Sequence, residues 1–375
     1  MPFDISKFQP QAWAILSRSF QSGRLANTYL LSGLDGSGRW ALAMSLVSLI
    51  NCEAPITDKA TGSIRSCGEC RNCRAIRNYN FEGQHFAVPL PPHKKPDEAI
   101  DFTNEILQAK QDEPFSVLQS SASVTIPIDT ARRIIRSLAT RPSAGIYRFV
   151  IFHQMERMLP SSADALLKLI EEPPSNTIII LTTEKPERLL PTIQSRSQII
   201  KLHRTPTDVL ASYLKETYSI SDSKADVFAR ISQGNPGRAV AMISSDEDPD
   251  SLQRNAGFQL FKSLLENPSS DTVARIVNMI GQRNRGEAVE LLRLWQSFIC
   301  DCAGLAVTKD EESLVNIDFK TELSQLAERF VYPDLGARLT AQIKITLADL
   351  RRNVHIHGAL AALTLRMKTE VAAKP

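Results

Sequence analysis

The stretch that decides the fold runs Thr28-Tyr-Leu-Leu-Ser-Gly33-Leu-Asp-Gly-Ser-Gly38-Arg39-Trp40. Residues 28–32 form a short apolar run typical of a buried strand, and residues 39–51 are rich in Leu, Ala and Val, as in a buried helix. A glycine-rich loop between a strand and a helix is typical of α/β domains that bind nucleotides. The stretch therefore predicts the first strand, loop and helix of a parallel-sheet domain.

The chemistry of this loop is incomplete. A working phosphate loop reads G-x4-G-K-S/T, in which the lysine reaches the phosphate oxygens and the hydroxyl ligates magnesium. The glycines are kept as Gly33, Gly36 and Gly38, but Arg39 replaces the lysine and Trp40 replaces the hydroxyl residue. Arginine is a planar cation that does not place a point charge as lysine does, and an indole cannot bind magnesium. Taken alone, the loop also fits an ordinary glycine turn.

The acidic half of an ATPase site is missing too. It is a carboxylate pair at the end of a later strand, and the matching strand, residues 148–152, runs into His153-Gln154. Glu156 falls two residues past the expected place. Losing such groups costs orders of magnitude in rate. We therefore expect the fold without significant ATP hydrolysis, and with weak or no ATP binding, at this chain's own site.

The first 204 residues continue as alternating strands and helices. Apolar runs predict further buried strands at 85–88, 148–152, 178–181 and 199–202. Helical apolar spacing covers residues 129–140 and a segment that begins at Ser161 or Ser162 and ends before Pro173. This alternation predicts a mainly parallel sheet with helices on both faces.

Two regions depart from the alternation. Residues 89–126 are hydrophilic and contain several prolines, which predicts a surface insertion with one short helix near 97–110. After Pro206 the pattern becomes helical, with a break at Gly234-Asn-Pro-Gly237 and regular apolar spacing from about residue 249 onward. The sequence therefore predicts three parts, at 1–204, 205–247 and 248–375.

Four of the six cysteines lie close together in sequence, as Cys52, Cys67, Cys70 and Cys73. Four thiolates at this spacing suit tetrahedral zinc, with Zn–S distances of about 2.3 Å. We therefore expect a structural zinc module over 52–73, with free cysteines, a redox pair or a 4Fe–4S cluster as alternatives. Cys300 and Cys302 are two residues apart in a helical stretch, where they do not face one another, and both are expected to be buried.

The overall composition excludes several classes of protein. The 375 residues include 44 Lys+Arg and 41 Asp+Glu, and the net charge of +3 excludes a polybasic protein, so any nucleic-acid contact must come from local patches. No apolar run approaches the roughly 18–20 residues that span a bilayer. Residues 1–7 lack the basic and apolar regions of a signal peptide. We therefore expect a cytoplasmic protein with no membrane partner.

Two arginines are candidates for phosphate contact. Arg196 stands just before the strand predicted at 199–202, where an arginine at the rim of the domain can reach the γ-phosphate of a neighbouring subunit. On residue type alone, a surface arginine in a weak ion pair is the more common outcome. Arg238 stands at the start of a predicted helix and fits either a phosphate sensor or a solvated residue.

Further motifs in the sheet domain are Ala165-Leu-Leu-Lys-Leu-Ile-Glu-Glu-Pro-Pro174, Thr182-Thr183 and Gln194-Ser-Arg-Ser197. With the four-cysteine module, they resemble the bacterial clamp-loader AAA+ subunits of DNA polymerase III over about residues 10–245. The helical remainder is similar to the collar domain of that family. Within the family, a degraded phosphate loop and a missing acidic pair point to the delta-prime branch, because gamma/tau subunits keep both. Ser197 stands where the family usually has cysteine.

This resemblance implies an AAA+ domain at 1–204, a helical lid at 205–247 and an oligomerising collar at 248–375. It implies a non-catalytic clamp-loader subunit that presents Arg196, as an arginine finger, to the ATP of an adjacent motor subunit. Thr182 and Arg238 take sensor-like positions.

The implied partners are the gamma/tau and delta subunits, the sliding clamp and, through the assembly, primer–template DNA. Residues 127–204 carry 12 Lys+Arg and 7 Asp+Glu, which fits either phosphate-backbone contact or a solvated face. Two other functions stay open on the sequence. One is an ATP-hydrolysing gamma/tau-type motor subunit, and the other is a zinc-dependent nucleic-acid-binding module on an inert fold.

Overall fold

The computed structural model describes residues 4–59, 62–91, 96–117, 124–138, 146–158, 160–244, 252–267, 269–281, 285–330, 333–352 and 354–372. The chain forms two compact units. The first comprises Met1–Ser219 with Gly234–Ala241, and the second comprises Ile220–Gln233 with Met242–Pro375. The division into three parts that the sequence indicates stays a prediction.

The first unit contains the strands β1 (Thr28–Ser32), β2 (Ile56–Thr57), β3 (Ile64–Arg65), β4 (Gln84–Ala87), β5 (Arg148–Phe152), β6 (Thr177–Thr183) and β7 (Gln198–Lys201). Five of them form one parallel sheet in the order β4-β5-β6-β1-β7, and β2 pairs with β3 in an antiparallel ribbon. In this register Leu30 lies between Leu181 and Ile199. The predicted parallel-sheet α/β core is confirmed.

The helices of the first unit are α1 (Ile5–Phe8), α2 (Pro10–Gln21), α3 (Arg39–Ile50), α4 (Arg71–Arg77), α5 (Pro96–Asp112), α6 (Ile128–Ser137), α7 (Pro160–Glu171), α8 (Pro191–Ser195) and α9 (Thr207–Tyr218). They cover both faces of the sheet. Phe149 and Ile151 of β5 pack into a core with α2 and α3, while Val150 and Phe152 pack into a second core with α6 and α7. Because both faces are covered, every residue of β5 and β6 is buried, which explains their continuous apolar runs.

The segment 89–126 contains the helix predicted near 97–110, as α5, but it does not lie only at the surface. Its helix α5 is 17 residues long, and Ala99, Phe102 and Ile106 on one side of that helix pack into the core shared with α2 and α3. Phe115, which follows the helix, is only 1% exposed. The prediction of a surface insertion was therefore wrong for the described residues, because a hydrophilic average hid one apolar helix face and one buried aromatic ring. Residues 92–95 and 118–123 lie outside the described residues.

The remaining helices are α10 (Asp222–Ile231), α11 (Pro236–Ser244), α12 (Leu252–Glu266), α13 (Ser270–Gly281), α14 (Arg285–Thr308), α15 (Lys320–Ala327), α16 (Pro333–Arg351) and α17 (Ile356–Ala372). Apart from the start of α11, they belong to the second unit, whose core is built around Trp295 and Phe298 of α14. Cys302 is buried in that core, but Cys300 is exposed. The prediction for Cys300 was wrong because residues two apart on a helix point about 200° apart. Among the described helices, none is both long and apolar enough to cross a membrane.

Candidate functional site

The phosphate loop follows β1 directly and leads into α3. Gly36 and Gly38 have φ angles of +80° and +95°, in the left-handed region that favours glycine, and Gly38 is the N-cap of α3. A Cβ atom at Gly33 would lie 2.9 Å from the Cβ atom of Leu202. Backbone conformation or close contact therefore requires glycine at all three predicted positions.

The carboxylate of Asp35 accepts hydrogen bonds from three donors at this loop. Arg39 Nη2 lies 2.8 Å from Asp35 Oδ1, and the Gly36 N–H donates to the same oxygen at 3.2 Å. Gln154 Nε2 donates to Asp35 Oδ2 at 3.0 Å. In a working loop, the backbone N–H groups and the neighbouring cation bind phosphate oxygens. Asp35 therefore supplies the Gly36 N–H and Arg39 Nη2 with an anion from the chain itself.

The segment after α5 covers the glycines of the loop. A Cβ atom added to Gly38 would lie 2.9 Å from Phe115 Cε1, and one added to Gly36 would lie 3.1 Å from Val117 Cγ2. The ring of Phe115 packs against that of Phe8, with 4.9 Å between the ring centroids. Phe115 and Val117 therefore occupy the space beside the loop.

Glu113 holds this covering segment in place. Its carboxylate accepts hydrogen bonds from the Phe115 N–H at 2.9 Å, from the Tyr213 hydroxyl at 3.1 Å and from the Tyr218 hydroxyl. Burial, together with the negative charge of Glu113, raises the pKa of Tyr213 and of Tyr218. Both hydroxyls therefore stay protonated and continue to donate to Glu113.

The turn before α11 also contacts the phosphate loop. The Gly237 N–H donates to the Gly36 carbonyl at 2.9 Å, and Asn235 Nδ2 donates to the Asp35 carbonyl at 2.8 Å. A Cβ atom at Gly237 would lie 2.5 Å from Gly36 Cα, so only glycine fits there. Arg238 is half-buried, and its N–H donates to Asn235 Oδ1 at 3.0 Å. Arg238 therefore lies one residue from a direct backbone contact with the loop.

The end of β5 carries His153 and Gln154 where a working site has carboxylates. His153 Nδ1 lies 2.9 Å from the hydroxyl oxygen of Thr182, and the Gln154 N–H donates to that hydroxyl at 3.0 Å. Thr182 is fully buried on β6. Glu156 Oε1 instead accepts a hydrogen bond from the Glu184 N–H at 3.2 Å. The predicted sensor-like residue Thr182 therefore bridges two strand ends.

Three basic side chains are buried close to the loop: Arg39, Lys110 and His153 are 2%, 4% and 2% exposed. Burial lowers the pKa of Lys110 to about 8, and the nearby charge of Asp35 opposes that shift. Burial, then the charges of Lys110 and Arg39, hold the pKa of His153 well below its usual range. His153 is therefore neutral. Lys110 was missed at the sequence level because a lysine in a hydrophilic stretch resembles any exposed lysine.

The four cysteines of the predicted zinc module lie together in space. Their Sγ atoms are all within 4.8 Å of one another, and those of Cys67 and Cys73 are 4.0 Å apart. A zinc ion with Zn–S distances of about 2.3 Å separates its ligands by about 3.8 Å. None of the four cysteines forms a disulfide. The cluster is therefore compatible with structural zinc.

Backbone N–H groups point at the sulfur atoms of this cluster. The N–H groups of Cys70 and Glu69 donate to Cys67 Sγ at 3.2 and 3.4 Å, and the Cys67 N–H donates to Cys52 Sγ at 3.2 Å. Burial raises the pKa of the Cys52 and Cys73 thiols, whereas the contact from Glu69, then that from Cys70, lowers the pKa of the Cys67 thiol to about 7. Such donors stabilise the thiolate, which is the form that binds metal. The donor set therefore fits zinc.

Arg196 lies between α8 and β7, at the start of the edge strand. β7 runs parallel to β1 from the pair Tyr29–Gln198 to the pair Ser32–Lys201, and the phosphate loop leaves β1 at the far end. Arg196 therefore precedes the amino end of β7, whereas the loop begins at Gly33, about 13 Å farther along the strands than the pair Tyr29–Gln198. The side chain of Arg196 is 42% exposed.

The family model described as DNA polymerase III, delta subunit matches residues 8–206 of this chain. The chain belongs to that family. The match includes the phosphate loop, the four clustered cysteines and Arg196. The resemblance to the delta-prime branch of the clamp-loader subunits is thereby confirmed, and the chain is a delta-prime-like member of the delta-subunit family.

Curated relatives of this family member include proteins named DNA polymerase III subunit delta' and others named subunit tau or gamma/tau. The relative from Escherichia coli (strain K12) is 27% identical over 231 residues, which is 62% of this chain and 58% of the relative. The relative from Bacillus subtilis (strain 168) is 26% identical over 248 residues, 66% of this chain and 63% of the relative. The chain thus matches less than two thirds of the length of either.

Among solved structures, a DNA polymerase III gamma subunit-related protein from Thermotoga maritima is 16% identical to this family member. It covers 96% of this chain and 100% of its own, with a TM-score of 0.40.

The predicted site residues of this family member fall into three places. Gly33, Gly36, Gly38 and Arg39 form one loop, with Thr182 and Arg238 nearby. The four cysteines form a second group, and Arg196 stands at the opposite, amino end of the strands. Residues missed by the sequence reasoning are Asp35, Lys110 and Phe115. Asp35 lies inside the glycine motif, so its place in sequence was the one available signal.

Proposed function

We propose that this chain is the non-hydrolysing stator subunit of a DNA polymerase III clamp loader. It supplies Arg196 in trans to the ATP of an adjacent motor subunit, so that the sliding clamp is loaded onto primer–template DNA. The observation that carries the proposal is the contrast between the two ends of the strands. The chain's own phosphate loop, at the carboxyl end of β1, is covered by Asp35 and Phe115, whereas Arg196 is exposed at the amino end of β7.

Three substitutions support the loss of hydrolysis at the chain's own loop. Arg39 pairs with Asp35, Trp40 offers no oxygen for magnesium, and His153 with Gln154 replaces the acidic pair. Each missing group would stabilise charge during phosphoryl transfer, and one such group is typically worth about 10²–10³ in rate. Three losses together leave no rate comparable with that of a motor subunit.

The position of Arg196 supports action on another subunit. It lies at the amino end of the strands, whereas its own phosphate loop leaves β1 at the carboxyl end. Its planar, permanently charged guanidinium suits bidentate contact with phosphate oxygens. A cation supplied across an interface stabilises the charge that develops when ATP is cleaved.

In this proposal the parts of the chain have separate roles. Residues 1–204 form an AAA+ domain, residues 205–247 a lid, and residues 248–375 a collar that joins the gamma/tau and delta subunits. ATP held by the motor subunits closes the ring of subunits, which opens the clamp and admits primer–template DNA. Thr182 and Arg238 keep sensor-like positions beside a loop that no longer holds ATP.

We also propose a structural role for zinc held by the four cysteines of the module. When bound, the ion cross-links two short segments, around Cys52 and around residues 67–73, that have little core of their own. The module then braces the end of α3, whose first turn carries Arg39 and Trp40.

The test compares ATP hydrolysis by the assembled clamp loader containing wild-type chain, Arg196→Ala or the control Arg188→Ala. Arg188 is also exposed and lies in the turn Pro186–Arg188. We expect Arg196→Ala to remove at least the share of the rate that comes from the adjacent ATP site, because an arginine finger is worth about 10³–10⁵ at its own site. Arg188→Ala keeps the wild-type rate. An unchanged rate for Arg196→Ala would rule out the trans role.

A further inference from the structure

The guanidinium of Arg196 is held at two points by its own chain. Nη2 lies 3.0 Å from Glu171 Oε1, and Nη1 donates to the Thr192 carbonyl at 3.3 Å. The Thr192 contact is local to α8, whereas Glu171 comes from the end of α7. Because a planar group anchored at both terminal nitrogens cannot turn freely, the two contacts fix its plane.

Glu171 stands where a carboxylate is electrostatically unfavourable. It is the last residue of α7, where unpaired carbonyls leave partial negative charge, and Glu172 adds a second carboxylate. Pro173 prevents the helix from continuing past this point. Lys168 in the last turn supplies one cation, and Arg196 brings a second from another element. Helix stability alone therefore does not account for Glu171, whereas its contact with Arg196 does.

The ion pair borders an open cleft of about 500 Å³, whose lining includes Asn27, Thr28, Glu172 and Gln198. Thr28 Oγ1 is buried and has no hydrogen-bond partner. The side chains of Arg196 and Glu171 are 42% and 43% exposed. A group from an adjacent subunit can therefore reach the guanidinium from the cleft without displacing the core.

We propose that Glu171 is a positioning residue for Arg196. It holds the guanidinium in the orientation from which it meets a phosphate of the neighbouring subunit, and it keeps this contact while the phosphate is bound. This inference rests on the proposed trans role of Arg196. In this inference Glu171 affects ATP hydrolysis only through its contact with Arg196.

The donor count of the guanidinium allows both contacts at once. Arginine has five N–H donors, of which Glu171 and the Thr192 carbonyl use one each. Three donors remain, and bidentate contact with a phosphate needs two. Because Glu171 orders the long side chain of Arg196 in advance, its conformational entropy is not lost at the transition state. This saving corresponds to about 2- to 10-fold in rate.

The experiment uses the assembled clamp loader with the clamp and primer–template DNA. Glu171→Ala and Glu171→Gln are each compared with wild type, both with Arg196 and in the Arg196→Ala background. Glu187→Ala, at an exposed position in the turn Pro186–Arg188, serves as the matched control. The measured quantity is the part of kcat that depends on Arg196. We expect Glu171→Ala to lower it about 2- to 10-fold, with a smaller change in KM for ATP.

Two further results belong to the same expectation. Glu171→Gln retains part of the rate, because its amide oxygen still accepts from Arg196 Nη2, and Glu187→Ala keeps the wild-type rate. In the Arg196→Ala background, Glu171→Ala causes no additional loss.

The outcomes separate this inference from the proposed function. An unchanged rate for Arg196→Ala refutes the trans role itself. If Arg196→Ala lowers the rate but Glu171→Ala does not, the positioning role alone is refuted. A loss from Glu171→Ala that persists without Arg196 indicates a purely structural role and also refutes it.

Discussion

Arg39 stands where a working phosphate loop has lysine, and it changes the structure of the loop as well as its catalytic chemistry. Arg39 is 2% exposed and pairs with Asp35 at 2.8 Å, and Gln154 and the Gly36 N–H complete the carboxylate's contacts. Breaking such a pair leaves one buried charge without compensation. A phosphate that binds the Gly36 N–H or Arg39 Nη2 must therefore displace the Asp35 carboxylate already bound to them.

Lys110, buried near the phosphate loop, makes the free energy of unfolding depend on pH. Its pKa is lowered to about 8 by burial, while in the unfolded chain it returns to about 10.4. Between these values the unfolded chain binds more protons, so the free energy of unfolding increases as the pH rises. We expect an increase of up to about 3 kcal/mol from this group between about pH 8 and pH 10. Urea unfolding across this range measures it.

The variant Lys110→Met isolates this contribution. It keeps an unbranched side chain but has no charge, so the part of the pH dependence due to Lys110 disappears while all other titrating groups stay. A variant whose pH dependence matches that of wild type would show that Lys110 is not a buried cation in the folded chain.

At the scale of elements, the alternation of strands and helices was predictable because both local signals agreed. Glycine spacing marked the turn from β1 to α3, and continuous apolar runs marked β5 and β6. The covering segment after α5 was not predictable, since Phe115 meets Gly38 across more than 70 intervening residues and no periodic pattern leads to it. The Glu171–Arg196 pair likewise depends on how two elements pack.

The zinc module makes a prediction at this same scale. Removing the metal with a chelator breaks the cross-link between Cys52 and residues 67–73 and lets the released sulfur atoms take up protons, which destabilises residues 52–73. For a loss of about 2–3 kcal/mol, we expect a fall in the melting temperature of roughly 4–10 °C, measured calorimetrically. Cys70→Ser should lower it similarly, and Cys300→Ser, at an exposed position outside the cluster, should not. If the chelator does not change the melting temperature of the wild-type protein, the four cysteines hold no structural metal.

The same treatment distinguishes bracing from recognition. If zinc has only a structural role, its removal lowers the thermal stability of the chain and weakens assembly of the clamp loader. A zinc-dependent nucleic-acid-binding module instead predicts that the isolated chain binds DNA tightly and loses that affinity when zinc is removed.

At the scale of the whole molecule, the chain combines a parallel-sheet core with a phosphate loop that its own residues close. Asp35 supplies the anion, Phe115 and Val117 cover the glycines, and Glu113 holds the covering segment. No single substitution in the motif explains this state, because the closing residues come from the loop, from the segment after α5 and from β5. Restoring one catalytic group would therefore leave the site closed.

This closure predicts how the purified chain responds to ATP. A ligand that binds the folded state at about 100 times its Kd raises the free energy of unfolding by about 3 kcal/mol, and the melting temperature rises with it. We expect no rise for this chain at millimolar ATP, and no phosphate release approaching the roughly 1 s⁻¹ or more of working enzymes. A motor subunit treated in parallel should show both. Phosphate release by the lone chain at that rate, abolished by Arg39→Ala, would identify it as a motor subunit.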